Sequence, residues 1–200
     1  MLYTLIHDSN NYLDFYFDDA QILRVIGELS DSTVDKRIDV NGIPRSYKGI
    51  INEPLNFSFP IIEKEDKNKK IPDLVEDKGR LFLSARAYKV LKPLIENDGE
   101  FLPVTYENGQ GYFYIPLRVA NVDTATTHKN EWDEIVSLGF NEEEVKDWSL
   151  FRTEYNGYMH PYCQEVLKTA IEEEQLTGLY ITNDLANIFP CDRSQVAKVN

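Results

Sequence analysis

Residues 101–119 constrain this chain more than any other stretch. Two apolar runs, 101–106 and 112–119, flank Glu107-Asn108-Gly109-Gln110-Gly111. An Asn-Gly step accepts the positive φ of a tight turn, so the two runs read as the arms of an antiparallel hairpin. On the return arm Tyr112, Tyr114 and Pro116 alternate with Phe113, Ile115 and Leu117, the period-two pattern of a strand. The segment just upstream supplies a cover for such a sheet. Residues 80–83 read as a short strand, and Ser84 can accept a hydrogen bond from an orphan N–H of a following first turn. From 85 to 96, Ala87, Val90, Leu91, Leu94 and Ile95 fall at helical spacings and make one apolar face. Pro93 is expected to kink this helix or end it early, and Gly99 stops it.

A second unit repeats the scheme. Residues 164–175 read as a helix with Val166, Leu167, Ala170 and Ile171 on its buried side, and 179–182 as the last strand after Gly178. Val90-Leu91-Lys92 and Val166-Leu167-Lys168 sit at equivalent places, with Leu94/Ala170 and Ile95/Ile171 at the same offset. Chance likeness of two amphipathic helices explains this as well as duplication does, and in either case each helix needs a sheet to cover.

Elsewhere, 2–6 and 12–17 read as two strands joined by the polar turn Asp8-Ser9-Asn10-Asn11, followed by a short apolar run at 22–26. Residues 30–60, punctuated by Gly42, Pro44, Gly49, Pro54 and Pro60, read as irregular with short strands. Asn130 and Asn141 are placed to cap two short helices, 131–138 and 142–148, and 151–155 reads as a strand. The fold class expected is α+β: mixed, mainly antiparallel sheets covered by amphipathic helices, with a strand-rich N-terminal part. The organisation expected is a strand-rich N-terminal subdomain at 1–62, a charged loop at 63–70, an α+β domain at 71–182 and a C-terminal tail at 183–200.

Charge limits the partners. With 21 Lys+Arg against 34 Asp+Glu the chain carries a formal charge of −13. Phosphate backbones and anionic membrane surfaces attract Lys/Arg clusters, so neither nucleic acid nor a membrane is an expected partner. No apolar run approaches the length of a membrane helix, and the N-terminus lacks a basic region ahead of its apolar run. The 2 cysteines, Cys163 and Cys191, lie far apart and suggest reduced thiols. A cytoplasmic location is expected.

The search for chemistry yields little. The nearest thing to a nucleophile–base pair is His160-Pro161-Tyr162-Cys163, and Pro161 disfavours a shared helical face there. No metal-ligand spacing and no phosphate-cradling glycine loop is present. No catalytic, cofactor-binding or metal-binding residue is therefore assigned. The runs Glu142-Glu143-Glu144 and Glu172-Glu173-Glu174 fan around their helices and read as solvated faces. Tyrosines at 106, 112, 114, 155, 158 and 162 suit both half-buried strands and an interface.

Several motifs in order carry a likeness. They are Ile71-Pro72-Asp73-Leu74, Arg80-Leu81-Phe82-Leu83-Ser84 leading into Tyr88-Lys89-Val90-Leu91, and Glu100-Phe101-Leu102-Pro103-Val104. Tyr114-Ile115-Pro116-Leu117-Arg118-Val119, Asn121-Val122-Asp123, Phe151-Arg152, then Glu165–Glu174 and Leu176-Thr177-Gly178-Leu179 continue the series. Over roughly residues 71–182 the chain resembles immunity protein family eleven of bacterial polymorphic toxin systems, long described as a domain of unknown function. The resemblance implies a non-enzymatic antitoxin, encoded beside a secreted or contact-delivered toxin, that binds the toxin domain and occludes it. A nuclease toxin would bring a basic cleft to an acidic face. The expected partner is thus a cognate toxin domain, with the protein itself a monomer or homodimer. Toxin-contact candidates are the exposed acidic residues Glu142, Glu143, Glu144, Glu172 and Glu173 and the loop aromatics Tyr155 and Tyr158. Two rival readings are a hydrolase with a carboxylate or His160/Cys163 site and a scaffold domain of a larger assembly.

Overall fold

The central hairpin is covered on both faces in the computed structural model, which describes residues 1–193. In chain order the elements open with β1 (Leu2–His7), β2 (Tyr16–Phe17), α1 (Asp19–Ile26), β3 (Leu55–Ser58), β4 (Leu74–Asp77) and β5 (Arg80–Ser84). Next come α2 (Ala85–Ile95), β6 (Gly99–Tyr106), β7 (Gly109–Pro116), β8 (His128–Lys129) and β9 (Ile135–Ser137). The last are α3 (Glu142–Val145), β10 (Leu150–Phe151), β11 (Tyr162–Gln164), α4 (Glu165–Glu173) and β12 (Leu179–Thr182). The fold is α+β, with mainly antiparallel sheets.

The six-stranded sheet has the order β2-β3-β6-β7-β5-β4, and only its β3–β6 pair is parallel. The central hairpin turns on Glu107 and Asn108, with Gly109 at φ 116°. Alternation along the strands divides the side chains between two cores. Val75, Phe82, Val104, Phe113 and Ile115 face the N-terminal segment, where Phe15 stacks on Phe57 at 4.3 Å. Leu74, Leu81, Leu83 and Tyr114 face Leu91 and Ile95 of α2 and Leu167 and Ile171 of α4. Both faces are buried, which is why these strands read apolar on both sides.

The four-stranded sheet, β10-β11-β1-β12, is antiparallel throughout and adjoins the larger sheet at β4. The sequence echo has a structural counterpart. Helix α2 joins β5 to β6, which run parallel with β7 between them; α4 joins β11 to β12, which run parallel with β1 between them. The two helices pack against each other, Leu91 and Leu167 fully buried. Ser84 caps α2 as expected, accepting from Ala87 N–H at 3.1 Å. Pro93 leaves the helix unbroken to Ile95, because it sits in the last turn on the exposed side, where water can serve the carbonyl it leaves free.

Several local expectations are corrected. Residues 12–17 do not pair back on β1, since both edges of β1 are taken by β11 and β12; only Tyr16–Phe17 is a strand, and it pairs with β3. The apolar run at 22–26 lies within α1, which Asp18 caps through Ala20 and Gln21 N–H, and only Ile22 of the run is buried, Leu23 being 49% exposed. Residues 131–138 are not helical: Asn130 accepts from both Trp132 and Glu134 N–H, and this turn joins β8 to β9. Val166 lies half exposed on α4, away from the buried side. The helix expected at 142–148 ends at Val145, and the strand expected at 151–155 is only Leu150–Phe151.

Residues 1–62 contribute β1 to one sheet and β2–β3 to the other, so they share their cores with 71–182. The charged loop 63–70 is largely exposed around a single short turn. Of the expected tail, 183–193 is ordered by an Asp184–Arg193 ion pair at 2.5 Å, and 194–200 lies outside the described residues.

Candidate functional site

Three segments that lack any apolar period converge on one face. The first is the β8–β9 hairpin, whose Asn130 turn carries Trp132 at the tip, 65% exposed. The second is the loop after β10. Thr153 caps a short turn at Glu154–Asn156, and Gly157 closes it at φ 66°. The third is 183–193, in which Arg193 grips Asp184 with two hydrogen bonds, 2.5 and 2.6 Å, and reaches the Val136 carbonyl at 3.3 Å. That last bond ties the third segment to the hairpin, and Lys129 Nζ, 5.1 Å above the Tyr155 ring, ties the hairpin to the loop.

Between them lies a cavity of about 390 Å³. Ile135, Val136, Leu185, Ile188 and Phe189 make its apolar walls, and Asn156, His160 and Tyr162 its polar lining. Asn156 Nδ2 donates to the Tyr162 hydroxyl at 2.8 Å, while Asn156 Oδ1 is buried without a hydrogen-bond partner. His160 Nδ1 is likewise buried and makes no hydrogen bond; the Glu76 carboxylate, which accepts from Gly79 N–H, stands 3.7 Å away. Burial pushes the Tyr162 phenol well above its ordinary range, so it remains a protonated donor.

A wider, open cleft of about 940 Å³ adjoins the cavity, and Leu185 lines both. Its rim is polar and acidic: Asp123, Asn141, Glu142 and Glu144 contribute, and Glu144 accepts from Asn121 N–H and Nδ2. The field in such a cleft favours cationic groups.

Of the contact candidates named from sequence, Glu142 and Glu144 line the open cleft, and Glu143, exposed beside them, pairs with Lys146. Tyr155 lies on the converging loop, 36% exposed, and Tyr158 on the same loop is partly buried with φ 64°. Glu172 and Glu173 are on the exposed side of α4, Glu172 held by Lys168 at 2.7 Å, and they line neither the cavity nor the open cleft. The Cys163 thiol is fully buried between the helices and the four-stranded sheet, and burial pushes its pKa far up. It is an inert core residue, while His160 faces the cavity, so the two do not form a site. Among the described residues no cluster of His, Cys, Asp or Glu could hold a metal ion, and no helix is long and apolar enough to cross a membrane.

No family model matches this chain, and no curated protein matches it. The immunity reading therefore rests on the ordered motifs themselves and on the face described above.

Sequence reasoning missed Trp132, Val136, Ile188 and Phe189. The available signal was their placement: large apolar residues in polar, aperiodic stretches have no stripe to join and no core to enter.

Proposed function

We propose that this chain is an immunity-type binding protein, which protects a cell by covering the working surface of a cognate toxin domain and performs no chemistry of its own. One observation carries the reading. Trp132, Ile188, Val136 and Phe189, at 65%, 56%, 44% and 38% exposure, belong to the same converging segments, beside an acidic cleft. Exposed apolar residues scattered singly mean nothing, but Val136, Ile188 and Phe189 line one cavity, Trp132 stands on the same hairpin as Val136, and an acidic cleft adjoins them, which is the anatomy of an interface: apolar anchors with polar groups beside them. The rim and the net charge of −13 favour a partner with a basic surface, and a phosphate-binding cleft of a nuclease is such a surface. The toxin would meet the protein in the cytoplasm.

The test is growth protection. The chain is co-expressed with the toxin domain encoded in the neighbouring reading frame, alongside Trp132→Ala and Ile188→Asp variants. Survival with the parent chain, and at least about 30-fold weaker toxin binding by the double variant, are expected for anchors of hot-spot quality. Death with the parent chain refutes the reading; a double variant that binds like the parent refutes this face.

A further inference from the structure

Three Asn-Gly steps occur in this chain, at 41–42, 108–109 and 156–157. Such a step can react with itself: the backbone nitrogen of the glycine attacks the asparagine Cγ, and a glycine has no Cβ to shield that approach. The attack needs a free side-chain amide, a glycine nitrogen not held elsewhere, and water. The fold meets these needs unequally. At Asn41 both ends of the amide are engaged, Nδ2 donating to the Val34 carbonyl and Oδ1 accepting from Ile43 N–H at 3.1 Å. Gly42 behind it is buried, its carbonyl accepts from Arg152, and a Cβ there would lie 2.7 Å from the Lys78 carbonyl oxygen. At the third step Asn156 Nδ2 donates to the Tyr162 hydroxyl at 2.8 Å, and the would-be nucleophile, Gly157 N–H, donates to the Glu154 carbonyl at 2.8 Å.

Asn108 is different. It and Gly109 are exposed at the tip of the β6–β7 hairpin, and the Asn108 side chain makes no hydrogen bond among the described residues. A Cβ on Gly109 would meet nothing within 4 Å, so the space around the glycine is open. Gly109 faces Tyr106 in the last rung of the ladder, the end of a hairpin that frays first.

We propose that Asn108 is a site of spontaneous covalent modification, deamidation through a cyclic imide. The Gly109 nitrogen bonds to Asn108 Cγ, the Cγ–Nδ2 bond breaks, and the departing ammonia takes up the proton that the glycine nitrogen loses. Water then opens the imide at either carbonyl and leaves an aspartyl or an isoaspartyl linkage. Both products place a new carboxylate beside Glu107, whose Oε1 accepts from Phe59 N–H at 2.7 Å. The isoaspartyl product also adds one backbone atom to a turn made of only Glu107 and Asn108.

The test uses the full purified chain, incubated in mildly alkaline buffer with and without urea. Digestion and tandem mass spectrometry read the one-dalton gain at each asparagine. In the native chain Asn108 should convert at least about tenfold faster than Asn41 or Asn156, each of which must first give up two hydrogen bonds, and in urea the three rates should converge. On isoelectric focusing the native parent should accumulate a more acidic form that Asn108→Gln does not. The proposal is overturned if Asn108 stays intact in the native chain over the time in which urea converts it, if all three steps convert alike in the native chain, or if Asn108→Gln acidifies as fast as the parent.

Discussion

Arg152 is fully buried and has no carboxylate against it among the described residues; it is held by backbone oxygens. Its Nε and Nη2 donate to the Pro116 carbonyl at 3.1 and 2.6 Å, and Nη1 to the carbonyls of Gly42 and Lys78. One side chain thus joins the end of β7, the β4–β5 turn and the irregular N-terminal segment to the loop that carries Tyr155, Asn156 and His160. Burial, with Arg80 nearby, pulls the guanidinium pKa down to about 9, so it remains charged at neutral pH. Arg152→Met keeps much of the volume and removes the donors. The Gly42 and Pro116 carbonyls sit on buried residues, and stranding two such acceptors costs roughly 2–6 kcal/mol at about 1–3 kcal/mol each. For a chain of this size that is a fall in melting temperature on the order of 10 °C. The assay is urea unfolding followed by tryptophan fluorescence, with Trp148 reporting from beside Phe151. Arg152→Lys, which keeps the charge but loses the planar fork, should fall between parent and Met variant. If Arg152→Met unfolds within about 1 kcal/mol of the parent, the carbonyl staple is not what holds this loop.

Three further outcomes follow from the same physics. Cys163 is a core thiol and Cys191 is partly exposed, so a thiol reagent should modify one cysteine in the native protein and both in denaturant; rapid native modification of both contradicts the packing between α2 and α4. Burial alone would raise the Asp39 carboxyl, but two hydrogen bonds from Arg37, 2.8 and 2.5 Å, override it and hold its pKa below the usual carboxylate range. A lowered folded-state pKa gives stability that is complete above the unfolded value and disappears as pH falls through the folded one. Asp39→Asn should therefore cost about 1–2 kcal/mol at pH 7 and nothing at strongly acid pH, measured by unfolding at several pH values; a cost independent of pH contradicts the assignment. Gly79 has φ 74°, and a Cβ there would lie 2.2 Å from the Tyr158 carbonyl oxygen and 2.6 Å from Arg152 Cδ. Gly79→Ala should lose at least about 1–2 kcal/mol and loosen residues 153–160 in hydrogen exchange, and an unchanged exchange pattern there would count against that close packing.

How much of this was legible in the sequence depended on whether local pattern and tertiary pairing agreed. The central hairpin and the Ser84-capped helix were legible because Asn108-Gly109, the alternation at 112–117 and the stripe Leu91, Leu94, Ile95 all act within a few residues. The β8–β9 hairpin was misread as a helix because Asn130 accepts equally well from a helix's first turn and from the N–H groups of a tight turn, and the side chain is the same in both. The 12–17 run failed for a different reason: its alternation suggests a partner for β1, but the edges of β1 are claimed by β11 and β12, both from the far end of the sequence. The acidic candidates Glu142 and Glu144 do lie on a cleft, since helix-start carboxylates are exposed for local reasons. The cavity was invisible, because Asn156, Tyr162, Val136 and Phe189 meet only through the pairing of distant segments.

The most direct test of the account is a binding titration between the purified chain and the toxin domain from the adjacent reading frame, run at low and high salt. The account predicts a stoichiometric complex whose association slows as salt screens the acidic cleft, and whose formation buries Trp132 and shifts its fluorescence. A chain that forms no complex with that domain at micromolar concentration, or one that binds it with Trp132 still in water, contradicts it.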